Sequence, residues 1–143
     1  DAPSSITRLI NIGIEPYLIS AAVNAVLAQR LVRRVCQQCR TEVTQLQDSE
    51  RAYLEAHGAD LEKVYRGAGC EVCRQTGYKG RVGVYEMLEL TDEMRDLITS
   101  NPTLMQLRRS AREAGMRALR DDGLAKVAAG LTTVEEVMRV TET

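Results

Sequence analysis

The sequence predicts an α+β fold, mostly helical, with a small cysteine-stapled lobe inserted between helical segments. Three observations predict it. The only four cysteines form two C-x-x-C knuckles, Cys36-Gln37-Gln38-Cys39 and Cys70-Glu71-Val72-Cys73. Each knuckle converges two thiolates on one point, and two together supply the four soft ligands of a closed tetrahedral zinc site. Helix caps and apolar residues at 3.6-residue spacing dominate both flanks, and a single β-branched stretch, Val82 to Leu90, follows the second knuckle.

Taken in order, Ile6, Leu9 and Ile10 recur at helical spacing from Ser4 onward, and Gly13 stands where a left-handed C-cap ends the turn. Pro16 suits a first helical position. Tyr17 to Leu31 follows, with Ala21, Ala22, Ala25 and Ala28 among Leu18, Ile19, Val23, Val26 and Leu27; apolar on nearly every side, this stretch is expected to be a buried helix. Leu31 to Val35 reads as a short extended segment delivering Cys36. Asp48 is placed to N-cap a helix carrying Tyr53 and Leu54, with Gly58 as its stop. The thirty residues between the knuckles exceed the roughly 15 to 20 of the simplest zinc ribbons, so the lobe carries a small helix of its own.

Thr76-Gly77-Tyr78-Lys79-Gly80-Arg81 is a turn-rich exit, and the strand after it sets Val82, Val84, Leu88 and Leu90 on one face with Glu86 as the polar exception. Thr91 is an N-cap ahead of Asp92 and Glu93, Thr103 and Gln106 make a capping box, and Gly115 closes that helix. Leu119 to Ala129 and Thr133 to Val140 complete the helical run, the last opened by Thr133 with Glu136.

The totals exclude several classes. At 143 residues, 44% hydrophobic and 27% charged, the chain has the composition of a soluble globular protein. With no Phe, no Trp and five Tyr, its core must be aliphatic. A net charge of −1 argues against a dedicated nucleic-acid binder, which carries a basic excess. No apolar run approaches the roughly 18 to 20 residues that span a bilayer, and no signal peptide is visible, so membrane association is expected only through partners. Four cysteines in such a chain fit a reducing cytosol. Because residue 1 is Asp and a motif begins at once, the chain is expected to be a piece of a longer protein; the alternative of another class is a stand-alone zinc interaction module.

Other readings of the cysteines are redox chemistry, an iron–sulfur site or chance pairing. A redox C-x-x-C is normally single and opens a helix after a strand, unlike two matched knuckles flanking a lobe. Catalytic zinc is disfavoured, since four thiolates leave no position for water. His57 is the only histidine, so no His pair can bind a metal, and its place before Gly58 suits a helix end. Arg30, Arg33 and Arg34 cluster before the first knuckle, and Arg108, Arg109, Arg112, Arg117 and Arg120 punctuate the C-terminal helices. A solvated face or intersubunit ion pairs explain most of these, with contact to a neighbour's phosphates as the functional alternative. Glu86 reads as a paired structural carboxylate. There is no G-x-x-x-x-G-K-[ST] or G-x-G-x-x-G, so no catalytic or nucleotide-binding residue is assigned. Gly67-Ala68-Gly69 reads as the tight turn of a knuckle.

The runs Thr7-Arg8-Leu9-Ile10, Gly13-Ile14-Glu15-Pro16-Tyr17 and Ala28-Gln29-Arg30-Leu31-Val32-Arg33, with both knuckles and Thr76-Gly77-Tyr78-x-Gly80-Arg81-x-Gly83-x-Tyr85-Glu86, resemble the C-terminal region of the secretion ATPase superfamily. The similarity is to its GspE/PilB branch of type II secretion and type IV pilus assembly ATPases, and it covers essentially the whole chain. The resemblance implies the C-terminal part of a RecA-like ATPase core with an inserted tetracysteine zinc lobe and a helical C-terminal cap. Residues 1–35 would end the core, 36–80 form the zinc lobe, and 81–143 supply a core strand plus a helical subdomain. It further implies a cytoplasmic homohexameric motor, peripheral at the bacterial inner membrane, that uses ATP and Mg2+ and partners the secretion or pilus platform. The family's phosphate loop, Walker B and aspartate-box carboxylates and histidine box lie upstream. Only the structural zinc ligands carry over, onto Cys36, Cys39, Cys70 and Cys73.

Overall fold

A computed structural model describes residues 1–142. The elements run α1 (Ala2–Asn11), α2 (Pro16–Ala22), β1 (Ala25–Val35), β2 (Arg40–Glu42), α3 (Asp48–Ala56), β3 (Tyr65–Gly67), β4 (Tyr78–Glu89), α4 (Asp92–Thr99), α5 (Leu104–Glu113), α6 (Leu119–Ala128) and α7 (Val134–Thr141). The fold is mixed α and β, with seven helices among the described residues. Strands β1 and β4 pair in one two-stranded sheet, and β2 pairs with β3 in another. The described residues form two compact units, one of residues 1–29 and 85–119, the other of residues 30–84 and 120–142.

The first unit packs α1, α2, α4 and α5 around Ala2, Ile6, Ile19, Leu88, Leu90, Met94, Ile98, Leu107 and Ala111. Helices α4 and α5 start where the sequence places their caps, whereas α1 begins at Ala2, ahead of the expected Ser4, and α2 has no side-chain cap. Asp1 accepts the Ser4 N–H in a full capping box, Thr91 accepts from Met94, and Thr103 and Gln106 close the second box. Glu86, on the buried face of β4 and 4% exposed, accepts the backbone N–H of Ala2 at 2.6 Å and of Leu119 at 3.3 Å. The polar exception on that strand face thus satisfies donors at the starts of two helices.

One expectation fails here. Tyr17 to Leu31 is not a single buried helix: α2 ends at Ala22, and from Ala25 the chain is strand β1. The side chains at 25, 27 and 29 are exposed while those at 26 and 28 are half-buried, a two-residue alternation that a wholly apolar reading conceals. The Leu90 N–H donates to the Asn24 carbonyl, so pairing with β4 overrides the helix propensity of the alanines. The helix that does form is also poorly covered, with Tyr17 62% exposed.

The second unit has its own core, in which Tyr53, Leu54 and Val64 pack with Leu124, Val127, Val134 and Val137. Asp48 is the first residue of α3 rather than its cap, which is Gln47 with no side-chain bond. Its charge still complements the helix N-terminus. Gly58 ends this helix at φ +62, as the sequence indicates.

Candidate metal centre

Strand β1 delivers Cys36 and β2 departs after Cys39; β3 leads into Cys70, and β4 departs after the turn that follows Cys73. The antiparallel register Arg40↔Gly67, Thr41↔Arg66, Glu42↔Tyr65 joins the two knuckles at their roots. This pair of three-residue strands has no apolar alternation, and sequence gave no sign of it.

All four sulfurs lie within 4.8 Å of one another. Cys36 and Cys70 Sγ are 3.8 Å apart, as are those of Cys39 and Cys73, and Cys70 to Cys73 is 3.7 Å. No pair is a disulfide. A tetrahedron with metal–sulfur bonds of about 2.3 Å has edges of about 3.8 Å, so these three pairs stand at the spacing of a tetrathiolate zinc or similar soft-metal site, and the whole set is close enough to share one ion. Cys36 and Cys73 are buried and Cys39 and Cys70 half-buried.

Backbone amides aim at the sulfurs. Gly69 N–H donates to Cys39 Sγ, and the N–H groups of Cys70 and Gly77 donate to Cys73 Sγ, each at 3.3 Å. Such bonds favour thiolate over thiol. Burial pushes the Cys73 thiol up, but the Cys70 and Gly77 amides and the thiols of Cys70 and Cys39 outweigh it, bringing it down to about 6. Cys39 moves the other way: burial, joined by hydrogen bonds with the Cys73, Cys70 and Cys36 sulfurs, carries it to about 11, with the Gly69 amide opposing only in part. A full set of thiolates this close requires a cation among them.

The second knuckle turns tightly. Arg74 and Gln75 hold φ of 55 and 63, costing roughly 1–2 kcal/mol each. They are held by bonds from Gln75 N–H to the Cys70 carbonyl and from Arg74 N–H to the Glu71 carbonyl, and by the Thr76 hydroxyl, which donates to the Cys73 carbonyl at 2.6 Å. Gly67 and Gly69 are where close approach demands them. Gly67 lies against the Gly77 backbone, and Gly69 has φ +99 beside Gln75.

The remaining sequence candidates disperse. His57 is a helix cap, edge-on to Tyr53 and accepting from Arg120 at 3.0 Å. Arg108 pairs with Asp1 at 2.7 Å, while Arg30, Arg34, Arg109, Arg112 and Arg117 are exposed. Arg33 instead joins a buried network missed by sequence. Its guanidinium and that of Arg139 both bind the carboxylate of Glu136, which is fully buried. Thr133 caps α7 by accepting the Glu136 N–H, but the Glu136 side chain serves the arginines rather than closing a capping box. The helical spacing of Glu136 and Arg139 was the available signal; pairing with Arg33, 103 residues away, was not legible locally.

The family model described as "Type II/IV secretion system protein" matches residues 1–139. Among curated relatives, the type IV pilus assembly ATPase PilB of Thermus thermophilus is 46% identical over 96% of this chain and 16% of its own length. The type II secretion system protein HxcR of Pseudomonas aeruginosa is 43% identical over 99% of this chain and 26% of its own length. The type II secretion system protein E of the same organism is 45% identical over 98% and 28%. The chain therefore spans between 16% and 28% of the length of these relatives.

Proposed function

This chain belongs to the family of type II/IV secretion system proteins, and from that membership we propose that it is the C-terminal, zinc-containing segment of a hexameric ATPase powering type II protein secretion across the bacterial cell envelope. The observation that carries the proposal is similarity along nearly the whole chain to proteins of that name, together with four cysteines gathered at metal-binding spacing. In this reading residues 1–35 and 81–143 belong to the end of a RecA-like core and a helical cap, and residues 36–80 form the zinc lobe. The parent hydrolyses ATP with Mg2+, assembles as a homohexamer, and works in the cytoplasm against inner-membrane platform proteins. No helix among the described residues is long and apolar enough to cross a membrane. With no phosphate-loop motif in its sequence, the chain alone is inactive.

Cys36, Cys39, Cys70 and Cys73 would hold the zinc, and when bound it ties the knuckles together with apparent binding energy on the order of 10 to 16 kcal/mol, available as folding energy. The residues themselves fix the lobe's shape: β2 and β3 register the knuckles, and the amides of Gly69, Cys70 and Gly77 hold the sulfurs in place. A lobe stiffened this way can transmit force from the motor to a partner or an adjacent subunit.

Similarity to the pilus relative favours a second reading, a type IV pilus assembly ATPase of the same family. The test is to replace Cys36 and Cys39 by Ser in the parent gene, scoring exoprotein export and pilus formation alongside ATP hydrolysis by the purified parent and by this chain. Loss of export with pili intact supports the first reading, and loss of pili with export intact the second. Normal export and piliation in the variant, or hydrolysis by this chain alone, overturns the proposal.

A further inference from the structure

The segment that opens α7 seats both knuckles. Glu136 Oε2 accepts the backbone N–H of Arg33 at 2.7 Å, and Oε1 accepts from its Nε at 3.0 Å. The Thr132 hydroxyl donates to the Arg33 carbonyl at 2.8 Å, and the Val35 N–H donates to the Leu131 carbonyl at 2.9 Å. Three backbone groups on the approach to Cys36, the N–H and carbonyl of Arg33 and the N–H of Val35, are thus taken by residues 131–136. On the other side, the Arg33 guanidinium lies 4.1 Å from the centre of the Tyr78 ring, and the Tyr78 hydroxyl meets the Thr133 hydroxyl at 2.9 Å. Tyr78 follows Gly77, whose N–H binds Cys73 Sγ and whose carbonyl accepts the Cys36 N–H at 2.9 Å.

We propose that Glu136 is the positioning residue of the metal centre: by pinning Arg33, and through it Tyr78, it fixes the approach to Cys36 and the exit from Cys73, so metal retention and the order of α7 are coupled. This rests on the zinc reading of the four cysteines. The chemistry explains why a carboxylate is used. A fully buried carboxylate requires partners for both oxygens, and those partners, Arg33 on β1 and Arg139 on α7, belong to the two elements it must join. Coupling is reciprocal, so loss of zinc loosens α7 as loss of the carboxylate loosens zinc.

The test uses this chain loaded with zinc and with cobalt(II) as a spectroscopic stand-in. Metal release is timed into a chelating dye, and backbone hydrogen exchange is followed with and without chelator. Groups bonded directly to metal ligands are worth about 10- to 100-fold in metal affinity; Glu136 stands one layer further out. Glu136→Gln is expected to release zinc faster by up to about tenfold and to alter the cobalt–thiolate bands, with exchange at Met94 and Leu107 unchanged. Thr132→Val, which removes only the hydroxyl bond to Arg33, is expected to speed release by a smaller factor and is the arm that decides if Glu136→Gln fails to fold. Chelation is expected to accelerate exchange along α7 in the wild type. Zinc bound and released at wild-type rates by the variants, or α7 exchange indifferent to chelation, overturns the coupling while leaving the zinc reading intact. A wild-type chain that binds neither metal overturns both.

Discussion

Gly67 and Gly77 lie back to back: a Cβ on Gly77 would stand 2.6 Å from the Gly67 carbonyl oxygen, and one on Gly67 would lie 2.5 Å from the Gly77 Cα. The roots of the second knuckle can close only because both residues lack side chains. Gly67→Ala is therefore expected to destabilise the second unit by about 1–3 kcal/mol, the usual cost of overpacking, and to lower bound zinc below one per chain. Gly77, at φ +80, adds a backbone penalty of about 1–2 kcal/mol when substituted. Gly58→Ala is the control, since φ is +62 there but nothing lies within 4 Å. Urea titration should show a loss near the backbone penalty alone for Gly58→Ala, with metal content unchanged.

Acid should release the α7 anchor. Burial raises the pKa of Glu136, but hydrogen bonds from Arg139 and Arg33 outweigh it and hold the carboxyl at about 2, below its usual 4.5. The folded value is the lower one, so between pH 2 and 4.5 the unfolded chain binds more protons. The contribution to stability is fully present above about pH 5 and fades as pH falls through that window. A drop from 4.5 to about 2 corresponds to roughly 3 kcal/mol. Denaturation of the metal-free chain at pH 6 and pH 3 should show wild type losing more stability than Glu136→Gln, and equal losses would refute the assignment.

The sequence disclosed what is local. Asp92 and Glu93 after Thr91, Gln106 after Thr103 and Gly58 after His57 each act within one helical turn, so the elements they bound are where the pattern puts them. The cysteines are equally legible, because C-x-x-C spacing fixes its own geometry. Long-range pairing is what escaped. Ala25 to Leu31 carries helix formers, yet it is a strand because β4 offers it a ladder, and β2 with β3 form only because two knuckles hold their roots together. The N–H donors to Cys39 and Cys73 belong to the backbone, which has no sequence signal beyond the glycines that let it approach.

Glu86 was visible as a misfit on an apolar strand face, and its two acceptor bonds give that misfit a measurable weight. Glu86→Leu fills the space but strands the N–H groups of Ala2 and Leu119, each costing about 1–3 kcal/mol when buried without a partner. Glu86→Gln keeps one acceptor oxygen and is expected to cost about half as much. Thermal unfolding should rank wild type above Gln above Leu, while zinc content stays at the wild-type level because neither bond touches the cysteines. A Leu variant as stable as wild type would show that these helix starts find other acceptors.

Gly123 sits inside α6, where alanine is ordinarily better by about 1 kcal/mol, yet replacement is expected to destabilise. A Cβ there would stand 2.9 and 3.0 Å from the two γ-methyls of Val137 and 3.3 Å from a γ-methyl of Val84. Valine is branched at Cβ and confined in χ1, and both partners are fully buried, so neither methyl can swing aside. The clash, about 1–3 kcal/mol, exceeds the propensity gain, giving a net loss of about 1 kcal/mol for Gly123→Ala. Adding Val137→Ala opens the space and should recover part of that loss, so a double-mutant cycle by urea denaturation is expected to show favourable coupling between positions 123 and 137. Strict additivity would mean that α6 and α7 do not meet through this glycine.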